Sequence, residues 1–365
     1  MRAAVLETPN APLVVTDVEL DDPHPGEVLV RVCHCGVCHS DLSMVDGSFP
    51  PPGPTVLGHE AAGVVEAVGD GVTMVAVGDH VVLTPCPPCG RCYWCVRGEW
   101  SACENSRSLM TFSHGDGGTR LRRGDEVIYR GLGVAAFAEH VVTDQTGAVP
   151  VPEDLPLDVL CVLGCAVQTG VGAVLHTAKV PPGATVLVLG LGGVGLSVVQ
   201  GAVLAAASRI VVSDPVAERR ELARRFGATD LLDPATDDVV AACFDLTGGI
   251  GVDVAFEAAG RSALLGPAID ATRFGGTTVL VGVPPVSDAL TYASAAIFGA
   301  TEKKLLGCLL GGANSRRDIP MLVDLWRHGR LDLESMITAR RPLDQINEAL
   351  DDLAAGVGVR TVIDL

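Results

Sequence analysis

Alternation of apolar and polar positions divides the chain into two textures. From residue 1 to about 155, short runs of period two are broken by turn residues: AAVLE, PLVVTDVEL and GEVLVRVCHCG, then HEAAGVVEAVG and GDHVVLT. In the third run Val28, Val30 and Val32 alternate with Leu29, Arg31 and Cys33, behind the turn Pro23-His24-Pro25-Gly26. Gly69-Asp70-Gly71 and Gly78-Asp79 punctuate the later runs. These patterns predict an irregular β-barrel. Residues 104–140 read instead as a long polar, Gly-rich loop before strands resume at GVAAFAEHVV.

From Pro182 the texture changes. A buried-strand run, Thr185 to Leu189, leads through a glycine-rich turn into an apolar helical stretch ending near Ala207, and a second strand, Arg209 to Ser213, follows. Helical VAERRELARRFGA stops at Gly227, and strands recur at DLLD, VDVAFEAAG, TTVLVGVPP and KLLGCLL, with a helix around Ala263 to Arg273. Six strands with crossovers predict an α/β, doubly wound parallel sheet. The tail from Asp318 reads as helical with one Pro-marked break, ending in the strand RTVIDL.

The 365 residues suit two domains, and 48% apolar, 4% aromatic and 43 glycines describe a globular α/β chain. A net charge of −18 disfavours nucleic acid and other polyanions as partners. No basic-then-apolar leader and no apolar run of eighteen residues stands out, so no membrane partner is expected. The 12 cysteines are too sparse for a disulfide scaffold. Their clustering points to metal ligation in a reducing compartment, hence to a cytoplasmic location.

Cys89, Cys92, Cys95 and Cys103 follow C-x2-C-x2-C-x7-C, four thiolates for one closed, structural zinc; Cys86 has no required place in it. Upstream, Cys38-His39-Ser40-Asp41 and Gly58-His59-Glu60 supply a thiolate and an imidazole. A catalytic zinc takes three protein ligands and keeps one position open, and Cys165 is the best candidate for the third. Any one of these residues alone would more often be ordinary core. The turn Gly190-Leu191-Gly192-Gly193-Val194-Gly195 has a strand before it, a helix after it and Asp214 about twenty positions on. That context makes it a dinucleotide fingerprint: Gly190 for the turn, Gly192 for close approach of a pyrophosphate, Gly195 for helix–strand packing. Asp214 would accept a ribose diol and repel a 2′-phosphate, favouring NAD over NADP.

With these motifs in this order, the whole chain resembles a zinc-dependent medium-chain alcohol dehydrogenase, most of all the liver-type dimeric branch. The resemblance implies a GroES-like β-barrel catalytic domain (1–166 and 308–365, with a zinc lobe at about 86–103) and a Rossmann coenzyme domain (167–307). It implies NAD, two zinc ions per chain, a homodimer, and a small alcohol or carbonyl substrate. Residue by residue, it implies Cys38, His59 and Cys165 as catalytic zinc ligands, with Glu60 beside the metal and Asp41 orienting His59. Ser40 matches the hydroxyl that takes the proton from the alcohol. His39 and Arg360 match positions near the pyrophosphate, and Arg219 a basic residue near the adenosine ribose. Thr169, Val194 and Val281 fall among the coenzyme-contacting residues, Thr169 on the nicotinamide side and Val194 behind its ring.

Two departures bear on chemistry. Ser43 stands where a histidine would carry the relayed proton outward, and Pro85 where a pocket aromatic is common; Phe49 falls at a substrate-lining position. Rival activities on the same scaffold are oxidation of a thiol adduct of formaldehyde, with glutathione or mycothiol as carrier, and reduction of an imine or alkene. A non-catalytic binding relative is the rival of another class.

Overall fold

The computed structural model describes residues 1–292 and 294–365. The chain divides into two compact units, Met1–Ala166 with Asn314–Leu365, and Val167–Ala313. It returns to the first unit at Asn314 rather than at 308. The residues between stay with the second unit: Cys308 Sγ lies 3.4 Å from Thr177 Oγ1. Gly311 packs so tightly that an added Cβ would sit 2.6 Å from the Gln168 carbonyl oxygen.

The first unit is built on two sheets. One runs in the order Ala148–Pro150, His80–Leu83, Glu60–Val68, Glu27–Gly36, Arg360–Asp364 and Ile337–Pro342, with His140–Asp144 also pairing to Glu27–Gly36. The other joins Val14–Asp17, Arg2–Leu6, Thr55–Val56, Glu126–Arg130, Leu121–Arg123 and Glu19–Leu20. The period-two alternation read around Val28, Val30 and Val32 buries those three valines, along with Leu6, Leu57, Phe137 and Ile363.

Residues 104–140 are not one loop. They hold a short helix, Ser108–Thr111, and the hairpin Leu121–Arg123/Glu126–Arg130, which turns at Gly124 with φ +59°. Leu121 and Ile128 pair and are buried. The polar look of the stretch comes from charges that are satisfied internally. Glu27, at the start of Glu27–Gly36 in the other sheet, accepts Arg120 Nε at 3.0 Å and Nη2 at 2.7 Å, and lies 3.1 Å from His114 Nδ1. The tail departs too: Pro320 lies inside the helix Ser315–Arg327, and Ile337–Pro342 is a strand parallel to Arg360–Asp364.

The second unit is a six-stranded, wholly parallel sheet. Its order is Asp230–Leu232, Arg209–Ser213, Thr185–Leu189, Val252–Glu257, Thr272–Leu280, Lys304–Gly307. The order reverses direction at Thr185–Leu189, which places a topological switch point between that strand and Val252–Glu257. Among the described residues no single helix is long and apolar enough to cross a membrane.

Candidate functional site

The first unit carries two groups of metal-ligating side chains. Cys38, His59 and Cys165 bring their ligand atoms within 4.8 Å of one another. Cys38 caps the helix His39–Val45, His59 precedes the strand Glu60–Val68, and Cys165 follows the turn Cys161–Gly164. Asp41, fully buried, ties the first two together. Its Oδ2 accepts the Cys38 N–H at 3.1 Å, and its Oδ1 accepts the Gly58 N–H at 2.9 Å and lies 3.2 Å from His59 Nδ1. The other imidazole nitrogen, Nε2, is buried with no protein partner.

An imidazole whose Nδ1–H is held by a carboxylate presents a lone pair on Nε2. With two sulfurs beside it, that orphaned nitrogen fits a zinc ion with a position to spare. Hydrogen bonding from Cys165, helped by Arg360 and His59, draws the Cys38 thiol well below its usual range, while the same contact and burial push Cys165 well above. The pair therefore holds one proton tightly and gives up the other readily.

Glu60 lies behind this group. Oε1 accepts the Ala166 N–H at 2.7 Å, and Oε2 is 3.1 Å from Nε of Arg360, whose Nη1 donates to the Val37 carbonyl. Both side chains are buried. Burial raises Glu60 to about 7 against the pull of Arg360. Arg360, read from sequence as a pyrophosphate contact, thus has its guanidinium engaged at Glu60 and at the residue before Cys38. Ser40 Oγ stands 4.0 Å from Cys38 Sγ, and the Ser43 hydroxyl donates to the His39 carbonyl at 3.0 Å. Phe49 lies 6.0 Å, centroid to centroid, from Phe112. Pro85 and Cys86 are buried.

The second group is Cys89, Cys92, Cys95 and Cys103, again within 4.8 Å of one another and with no disulfide. Cys103 Sγ accepts the Cys89 N–H at 3.2 Å and lies 3.8 Å from Cys92 Sγ. Burial disfavours charge on Cys92, but the N–H groups of Cys95 and Glu104 and the neighbouring thiols lower it to about 6. Four sulfurs fill a tetrahedral shell, so this group fits a closed, structural zinc.

The second unit carries the glycine-rich turn. Gly190, at φ +90°, leaves the strand Thr185–Leu189, and Gly192 caps the helix Gly193–Leu204. An added Cβ on Gly195 would fall 1.8 Å from the Gly190 carbonyl oxygen, whereas one on Gly192 would meet nothing within 4 Å. The first contact fixes the turn; the second leaves a cradle at a helix N-terminus that fits a pyrophosphate. Asp214 follows Arg209–Ser213 and is buried, its oxygens accepting the N–H groups of Leu191 (2.7 Å) and Val216 (2.8 Å). A carboxylate oxygen has lone pairs for a ribose hydroxyl besides.

Val194 stands on that helix, Thr169 is buried in the helix Ala166–Gly172, and Val281 is buried after Thr272–Leu280. Arg219 lies half-buried on Ala217–Arg225, and His39 is exposed. Two residues escaped the sequence reading. Arg220 donates to the Asp214 carbonyl at 2.6 Å and pairs with Asp233, and Glu257 is fully buried at a strand end. Neither sits in a motif; the acidic residue closing an apolar strand in VDVAFE was the one available signal.

Residues 24–153 match the alcohol dehydrogenase GroES-like domain, and residues 193–327 the zinc-binding dehydrogenase domain. Over the full chain, identity is 36% to alcohol dehydrogenase class-3 of Dictyostelium discoideum, of which 97% is covered. It is 38% to S-(hydroxymethyl)glutathione dehydrogenase of Escherichia coli, over 99% of each protein. Among solved structures, benzyl alcohol dehydrogenase from Acinetobacter calcoaceticus superposes with a TM-score of 0.93 at 32% identity, covering 100% of this chain and 99% of that one.

Proposed function

The chain belongs to the zinc-dependent medium-chain alcohol dehydrogenases, and from that premise we propose how its own residues divide the chemistry. It is an NAD-dependent oxidoreductase that moves a hydride between the coenzyme and an alcohol with its aldehyde or ketone. One observation carries the reading: the buried, unpartnered His59 Nε2 between Cys38 and Cys165, with Asp41 behind it.

Cys38, His59 and Cys165 would hold a zinc ion that would supply a Lewis acid to the substrate oxygen, and the coenzyme would supply the hydride chemistry. The protein's part is orientation and proton handling. Asp41 fixes the imidazole tautomer, and Arg360 neutralises Glu60 and braces the strand end before Cys38. Ser40 takes the proton from the substrate hydroxyl. Ser43, whose hydroxyl donates to the His39 carbonyl, offers no basic nitrogen to carry a proton onward, which supports a path from Ser40 to water. In the second unit, the cradle at Gly192 receives the pyrophosphate and Asp214 the adenosine ribose, with Arg219 nearby. Thr169, Val194 and Val281 would contact the nicotinamide half.

Phe49, which the resemblance places along the substrate, supports an uncharged alcohol over a bulky polar thiol adduct. Cysteines gathered in ligand groups rather than disulfides support a cytoplasmic setting. The open sheet edge Lys304–Gly307, with exposed Val286, Leu290 and Ile297 in the preceding segment, supports a homodimer. The test is NADH production on a panel of aliphatic and benzylic alcohols plus S-(hydroxymethyl)glutathione, together with zinc content and sedimentation. Turnover of the alcohols at two zinc ions per chain is expected; turnover of the thiol adduct alone would overturn the substrate assignment.

A further inference from the structure

Three loops leave the carboxyl ends of neighbouring strands in the parallel sheet: Gly190–Gly192, Ala258–Arg261 and Val281–Val283. One residue joins the last two. Glu257, fully buried, accepts the N–H groups of Ala259 (3.0 Å) and Arg261 (3.1 Å) on Oε1 and of Gly260 (3.3 Å) on Oε2. Its carbonyl accepts Val281 N–H and Gly282 N–H, each at 2.9 Å. A buried carboxylate is costly, and burial does raise its pKa; the three backbone N–H bonds oppose that rise, with a smaller pull from the Arg261 charge.

The loops themselves touch backbone to backbone. Ala258 N–H donates at 2.8 Å to the carbonyl of Leu189, the residue before the glycine-rich turn. An added Cβ would lie 2.8 Å from Ala259 N if placed on Gly190, and 2.2 Å from Gly260 N if placed on Gly282. On Gly260, at φ +69°, it would lie 3.0 Å from the Val283 carbonyl oxygen. With so little clearance, any shift of Ala258–Arg261 displaces both neighbouring loops.

The place matters as much as the bonds. In open α/β sheets ligands bind at the carboxyl ends where strand order reverses, and Glu257 ends the strand on one side of that point. Asp214 ends up on the other side, beyond Thr185–Leu189. A dinucleotide with its adenosine on Asp214 and its pyrophosphate at Gly192 extends its nicotinamide half toward the Glu257 loops.

We propose that Glu257 is a positioning residue for the coenzyme, holding the loops under the nicotinamide half in their bound arrangement before the coenzyme arrives. The proposal rests on the NAD reading above. Its reasoning is preorganisation: loops already ordered need not be ordered at the expense of binding free energy.

The experiment measures NADH and AMP affinities by titration of the zinc-loaded enzyme and its variants. Glu257→Ala is expected to weaken NADH by roughly ten- to a hundredfold, the scale of ordering one or two residues on binding, while AMP stays within about twofold. Glu257→Gln can keep the Ala259 and Arg261 bonds on its amide oxygen and loses only the longest one. It should restore NADH affinity to within about threefold of wild type. Should Glu257→Ala fail to fold, Gly260→Ala forces the same loop against Val283 and should give the same NADH-selective loss. Equal losses for NADH and AMP would make Glu257 a residue of the fold alone, and no loss for either would remove its role. A Gln variant as weak as Ala would refute the hydrogen-bond argument. A wild-type enzyme that binds AMP but not NADH would overturn the coenzyme reading itself, and this proposal with it.

Discussion

Replacing Glu27 by Ala tests how the segment 104–140 is held. The Glu27 carboxylate receives Arg120 through two N–H bonds and the His24 N–H at 3.0 Å, and it faces His114 Nδ1. The Arg120 and His114 side chains are only 6% and 7% exposed. Without Glu27, Arg120 keeps only Asp116, whose side chain is 52% exposed. His114, with Nε2 already unpartnered, loses its remaining acid. Breaking a buried pair from one side costs about 3–5 kcal/mol, whereas Asp116→Ala should cost under about 1 kcal/mol because that pair is wet.

With two units, a single unfolding transition is not assured. The assay is therefore hydrogen exchange of the Leu121–Arg130 amides alongside urea denaturation. The double replacement Glu27→Leu with Arg120→Met should recover most of the loss, since it removes both charges instead of stranding one. A Glu27→Ala protein no weaker than Asp116→Ala would refute the reasoning.

The same cluster sets a pH dependence. Burial, aided by Arg130, lowers His114 to about 4 despite Glu27. The unfolded chain thus takes that proton first as pH falls. Stability is full above about 6.5 and is lost toward pH 4, by about 3 kcal/mol. Burial resists charge on Glu27, but its bonds to His114 and Arg120 hold it below the carboxylate range, so its contribution is lost at still lower pH. In His114→Asn the decline should begin only near the carboxylate range, below about pH 5.

Three other outcomes are expected. Cys92→Ala should lose one zinc ion by elemental analysis and unfold at lower temperature, because structural zinc contributes folding free energy directly. Asp214→Gly should shift preference toward NADP, read as the ratio of kcat/KM for the two coenzymes, with some loss for both as Leu191 N–H loses its acceptor; wild-type enzyme equally active with either would contradict the assigned role. Ser40→Ala should keep its zinc and lose about a hundred- to ten-thousandfold in turnover, and near-wild-type turnover at neutral pH would remove Ser40 from the proton path.

What sequence made legible were the features that depend on spacing. The four-cysteine lobe, the glycine-rich turn with Asp214, and the alternation around Val28 are local patterns, and local patterns survive in one dimension. What it hid depends on distant partners. The 104–140 stretch looked like a loop because Arg120, His114 and Asp116 are polar, yet Glu27 from far upstream gathers Arg120 and His114, and Asp116 pairs with Arg120. Arg360 could be placed by resemblance near a phosphate, but its ion pair with Glu60 is written nowhere in the spacing. Glu257 sat in a strand read only for its apolar residues.

The pairing of Arg360 with Glu60 also orders events in time. On the ribosome the four cysteines of the lobe emerge together and can capture their ion from a short nascent segment. Cys38, His59 and Cys165 emerge over a much longer interval, and the guanidinium that neutralises Glu60 and grips Val37 comes later still, on the Arg360–Asp364 strand. A chain ending before that strand would have all four cysteines of the lobe but no Arg360 to pair with Glu60. In sequence order the four-cysteine lobe is therefore complete long before the Cys38, His59 and Cys165 group gains its last charge partner.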